Sequence, residues 1–162
     1  MTREARLSAF LLATGSAVML LAATICTWAV AHGASLSWRL LFRPFCHGIV
    51  SRCFEIWGAP MPICARCTGI YVGLLAGLTV FVLAGRSGRL AFPTGLLLLC
   101  ISPLALDGMS QAVRLRESTN ELRLWTGLGA GIAFALWALV MVDRNGRRVA
   151  QDSKFETVTM RQ

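Results

Sequence analysis

The chain is short of charge, and its shortages narrow the reading before any motif does. Of 162 residues only 15% are charged, with eight acids, one lysine, two histidines and one tyrosine. Hydrophobic residues make up 56% and the mean hydropathy is +0.62. That is too apolar for an ordinary soluble domain, and long apolar runs are the signature of membrane insertion. No internal repeat and no low-complexity tract is present. The formal charge of +8 comes almost wholly from arginine. These bases are not gathered on one soluble face, as nucleic-acid binding requires, so no nucleic-acid partner is expected. They flank the apolar runs, where membrane proteins carry topology signals and touch anionic lipid. The expected partner is the lipid bilayer. No acid lies deep in an apolar run, which argues against a cation pathway.

What is there reads as an all-α, polytopic integral membrane helical bundle of about four transmembrane helices. Residues 1–142 form one domain, with spans at about 7–31, 68–84, 90–106 and 124–142, and residues 143–162 form a short, loose basic tail. Ala29-Val30-Ala31 faintly resembles a signal-peptidase site, but the preceding apolar stretch is longer than an ordinary signal core, which favours an uncleaved anchor. Between the first two spans, Leu36–Arg43 has a wide apolar face and two arginines four apart. It is expected to lie flat in the interface, with Trp38 at headgroup level and Pro44 ending it. Pro93 suits the first turn of the third span, and Pro103 predicts a kink near its end. Ser118 with Glu121 fits a capping box for the fourth.

Two glycine stripes stand out. Gly69, Gly73 and Gly77 share one face of the second span, and Gly127 and Gly131, followed by Ala135, share one face of the fourth. Small residues at that spacing let helix backbones approach closely in lipid. They offer faces for a homo-oligomer.

Four spans put the N-terminus, the Arg86–Arg89 turn and the C-terminal tail on one side. That side carries the larger share of the bases over shorter segments. Both termini are therefore expected in the cytoplasm, the protein in the plasma (inner) membrane and the cysteine-bearing loop outside. The same topology brings Cys64 and Cys67, before the second span, to the membrane face that holds Asp107, Gln111, Arg116, Glu117, Asn120 and Arg123.

Cysteine is where the chemistry concentrates. Cys26 and Cys100 sit in apolar runs and read as small buried hydrophobes. Cys46, Cys53, Cys64 and Cys67 share one polar segment. Cys64-Ala65-Arg66-Cys67 supplies two sulfurs from one turn, half of a tetrahedral zinc site, and Cys46 with His47 can supply the rest of a three-Cys, one-His set, although adjacent ligands are geometrically awkward and leave one of the two open to another role. The helix start and Arg66 favour the thiolate that either metal binding or redox attack requires. Disulfides, Cys64 with Cys67 or Cys46 with Cys53, are the alternative in an oxidising compartment. His32 is read as an interfacial residue. The polar groups at Arg66, Asp107, Gln111, Arg116, Glu117, Asn120 and Arg123 are placed to orient such ligands. Equally, Asp107-Gly108 can simply end the third helix and the charged residues can form a solvated ion-pair set.

Phe45-Cys46-His47, Arg52, Phe54 and the run Pro62-Ile63-Cys64-Ala65-Arg66-Cys67-Thr68-Gly69-Ile70-Tyr71-Val72-Gly73 resemble the domain of unknown function 2085 family of small predicted prokaryotic membrane proteins. Asp107-Gly108, Gln111, and Arg116 to Arg123 with Thr126-Gly127 resemble its second signature. Together they cover roughly residues 45–140. The resemblance implies a helical integral membrane protein and supplies no activity. Gly48 stands where the family usually has Gln, and Cys53 where it usually has Ser, so a Cys46/Cys53 pair is not a family feature.

Three functions compete. The first is a metal-type site, most plausibly zinc, serving binding, sensing or assembly. The second is a membrane thiol-disulfide oxidoreductase passing electrons from Cys64/Cys67 to a quinone after exchange with Cys46/Cys53. The third is a transporter or channel accessory subunit.

Overall fold

Of this chain, the computed structural model describes residues 1–85, 92–113 and 117–159. The Arg86–Arg89 turn and Arg116 lie outside the described residues. Among the described residues four helices are long and apolar enough to cross a membrane: α1 (Arg3–Ala31), α2 (Ala65–Gly85), α3 (Thr94–Ala112) and α4 (Asn120–Thr159). Between α1 and α2 lies a cap made of a 3₁₀ helix (Leu36–Phe42), a single 3₁₀ turn (Val50–Arg52) and an antiparallel hairpin of β1 (Cys53–Ile56) and β2 (Ala59–Cys64). The bundle is all-helical as expected, and the hairpin is the addition.

Helix α1 is built inside out relative to a helix of a soluble bundle. Its exposed residues include Leu7, Phe10, Leu11, Val18, Leu21, Ile25 and Trp28, while the buried ones are Ala5, Ala9, Ser16, Ala23 and Thr27. Where lipid solvates the large apolar side chains, small residues go to the helix–helix contacts. Thr27 satisfies its hydroxyl within its own helix by donating to the Ala23 carbonyl at 2.7 Å.

The glycine stripes make the tightest of those contacts. A Cβ placed on Gly69, Gly73 or Gly77 would stand 2.3–2.8 Å from the carbonyl oxygens of Leu124, Leu128 and Ile132. From the other side, Cβ atoms on Gly127 and Gly131 would stand 2.3 and 2.4 Å from the Arg66 and Ile70 carbonyl oxygens. The two faces close on each other within one chain. Each stripe is already covered by the other. Short-range spacing shows that a helix will dock there, but not which helix.

Several boundaries also differ from expectation. α2 begins at Ala65, so Cys67 lies in its first turn and Cys64 ends β2. α3 runs on to Ala112, so Asp107 and Gly108 sit inside it rather than at its end. Thr119, not Ser118, caps α4, its hydroxyl accepting from the Leu122 amide at 3.3 Å. Most of the segment expected as a tail is helical: α4 continues through Thr159. Asp143, 8% exposed, accepts from the Thr2 amide at 2.7 Å and from Arg147, which clamps the start of α1 to α4 at the end of the bundle away from the cap.

Candidate functional site

The hairpin sets the cysteines. Its two-residue turn, Trp57-Gly58, has positive φ at both positions (55° and 76°), the mirror-image turn that matches strand twist. The ladder then pairs Cys53 with Cys64 across the strands, and β2 runs directly into α2. Before the hairpin the chain turns at Gly48, whose φ is +58° and whose Cβ position would meet the Pro62 carbonyl oxygen at 3.1 Å. A glutamine there would be strained and crowded, so this chain uses glycine to bring Cys46 beneath β2.

The three sulfurs of Cys46, Cys64 and Cys67 lie within 4.8 Å of one another. Cys46 is buried, and its sulfur accepts the Cys64 amide at 3.2 Å. Its thiol sits well below the ordinary range because the Cys64 and Cys67 thiols donate to it, aided by the Cys64 and Gly48 backbone amides against the cost of burial. Three clustered thiols with a backbone amide donating to the Cys46 sulfur form an arrangement that a soft cation can take over with little rearrangement. All six cysteines are free, so neither disulfide alternative is formed.

His47 stands apart from this group. It is exposed and lines the same cavity as the three thiols, but its imidazole is not among the converging ligand atoms. Cys53 is likewise outside the group. It donates to the Ile49 carbonyl at 3.1 Å and accepts from Arg39 at 3.5 Å. Burial pushes its thiol up to about 11, with Arg39 opposing. A thiol so held is a poor nucleophile, which leaves a relay through Cys53 without a ready first step.

The second polar cluster converges as the topology requires. Arg66, next to Cys67, forms an ion pair with buried Asp107 of α3. Gln111 donates to the Asp107 carboxylate at 2.8 Å and accepts from Arg123 of α4 at 3.1 Å. Arg123 also donates to Asn120 at 2.9 Å, and Asn120 donates to the Cys53 carbonyl at 3.3 Å. One hydrogen-bonded chain therefore ties α2, α3, α4 and β1 together around the thiols. Glu117 is exposed and takes no part in it among the described residues.

Arg39 was not foreseen as a site residue. It donates to the Gly48 carbonyl at 3.1 Å and the Met61 carbonyl at 2.9 Å, stapling the first 3₁₀ helix to the loop before and the strand after Cys53. In sequence it differs in nothing from an interfacial arginine; only the cap's fold turns it inward.

Relatives share this part of the chain. An uncharacterized protein of Methanocaldococcus jannaschii is 39% identical over 100 residues, covering 61% of this chain and 64% of its own length. This chain thus spans under two thirds of that relative. An uncharacterized protein of Methanothermobacter thermautotrophicus is 40% identical over 101 residues, covering 62% of this chain and 89% of its own. No solved structure matches. The family described as "predicted membrane protein (DUF2085)" matches residues 46–137, which take in the three converging cysteines and the whole chain from Arg66 to Arg123. That stretch is more than half of the sequence, and the protein belongs to the DUF2085 family of predicted membrane proteins.

Proposed function

We propose that this membrane protein binds a soft metal ion, zinc before others, through Cys46, Cys64 and Cys67 at one end of its helical bundle. The observation that carries the reading is the triangle of three sulfurs within 4.8 Å. Zinc–sulfur bonds of about 2.3 Å in a tetrahedron put sulfurs about 3.8 Å apart, within side-chain adjustment of that triangle. His47 lines the same cavity as the three thiols and is a protein candidate for the fourth position. The bound ion would hold the loop before the hairpin, the end of β2 and the first turn of α2 together, and the chain from Arg66 to Asn120 would brace it. The role is binding, sensing or assembly rather than turnover.

The test is anaerobic purification under reducing conditions, with elemental analysis and thiol counting. One equivalent of metal in the protein, lost in Cys46→Ser, is expected. No stoichiometric metal in the unsubstituted protein would sink the reading.

We also place the protein in the plasma membrane with both termini cytoplasmic, on the arginine distribution. A C-terminal reporter active only outside the cytoplasm would return no signal; a signal reverses the orientation.

A further inference from the structure

Beside the thiols the cap and helix ends enclose a cavity of about 440 Å³ whose wall carries four guanidinium side chains: Arg43, Arg52, Arg66 and Arg123. An adjoining cavity of about 750 Å³ shares Arg52, Gln111 and Arg123 and adds Glu117.

Their partners do not balance them. Arg66 is held by Asp107. Arg123, only 6% exposed, donates to the neutral amide oxygens of Gln111 and Asn120. Arg43 and Arg52 have no carboxylate partner among the described residues. Among the described residues, Glu117 is the one acid in the two walls. Arg123 also lies within electrostatic reach of both Arg52 and Arg66. Like charges crowded into a partly desolvated wall repel one another, and a bound anion relieves that cost. A zinc ion on three thiolates would add one net negative charge and would not reverse the excess.

Arginines lining one space suit a phosphate, whose oxygens take paired N–H donors from planar guanidinium groups. The lip of the cavity includes Phe45 and Ile49, both exposed and apolar, at the end of the membrane spans. We propose that this arginine-lined cavity binds a phosphate group, either free or as the headgroup of a membrane phospholipid. The inference stands without the metal reading.

The experiment uses the full-length protein and two variants. Arg52→Gln removes an exposed wall cation whose side chain makes no hydrogen bond among the described residues. Arg144→Gln removes an equivalent charge at the far end of the bundle. Inorganic phosphate binding is measured in detergent by equilibrium dialysis. Phospholipid binding is measured in nanodiscs of phosphatidylglycerol or phosphatidylcholine by native mass spectrometry. Saturable binding in one arm, weakened about tenfold or more by Arg52→Gln and unchanged by Arg144→Gln, is expected, since a charged hydrogen bond contributes on that order. Binding in the phosphate arm names the free anion; binding in the lipid arm alone names the headgroup. Saturable binding in neither arm, or equal losses in both variants, overturns the proposal. Metal content measured on the same samples separates its failure from that of the zinc site.

Discussion

Gly131 and Gly129 sit two residues apart on α4 and form a matched test of how the bundle is held. A Cβ on Gly131 would stand 2.4 Å from the Ile70 carbonyl oxygen and 3.0 Å from the Gly73 Cα, all backbone atoms that cannot swing aside. A Cβ on Gly129 meets nothing within 4 Å. Restoring ordinary contact at Gly131 requires α2 and α4 to part by about 1 Å. Overpacking of this kind costs about 1–3 kcal/mol. Both alanines gain the same helix propensity, up to about 1 kcal/mol, so the difference between the variants isolates the clash. Unfolding in mixed micelles by titration with dodecyl sulfate, followed by near-ultraviolet circular dichroism, reads that difference. Gly131→Ala should be the less stable by about 1–3 kcal/mol, with Gly129→Ala at or above the unsubstituted protein. Equal stabilities would mean that α2 and α4 do not pack through this seam. A loss that grows on dilution into more detergent would return the stripes to a contact between chains.

Asp107→Asn leaves Arg66 without its carboxylate partner; because Arg66 is about a quarter exposed, the expected loss is about 2–3 kcal/mol, below that for a fully buried pair, read in the same titration. His47→Ala should lower metal affinity far less than Cys67→Ser, since the imidazole lies outside the sulfur triangle; competition with a chromophoric chelator reads both. Zinc should be released as pH falls, because protons compete for the three thiolates, and the release is followed with the same chelator. At the alkaline end the sign is set by Cys53. Its thiol is raised in the folded protein, so the fold holds a proton that the unfolded chain gives up, and stability falls as pH rises from about 9 toward about 11. Cys53→Ala should flatten that fall; an unchanged slope would show that Cys53 is not its source.

The residues that betrayed the site did so by type and spacing. Cys64 and Cys67 mark a helix start, and four spans oblige Asp107, Gln111 and Arg123 to share its membrane face. The ion pair of Arg66 with Asp107 is that obligation met. His47 shows the limit. Adjacent ligands are geometrically awkward, which left open which of Cys46 and His47 would bind; the sulfur joins the triangle, while the imidazole stands in the wall of the same cavity. Arg39 was illegible for the related reason that its carbonyl partners, Gly48 and Met61, come from segments with no signal of their own.

Sequence alone determined that this chain is a four-span helical membrane protein, because hydrophobic length and the siting of charge answer directly to the bilayer. It also determined which end of the bundle would be polar. Only the tertiary structure decided which glycine face meets which, that the first loop folds as a hairpin cap, and that three thiols converge while the imidazole does not. Those outcomes depend on contacts between segments far apart in the chain, where a difference of an ångström or one turn of backbone selects the partner.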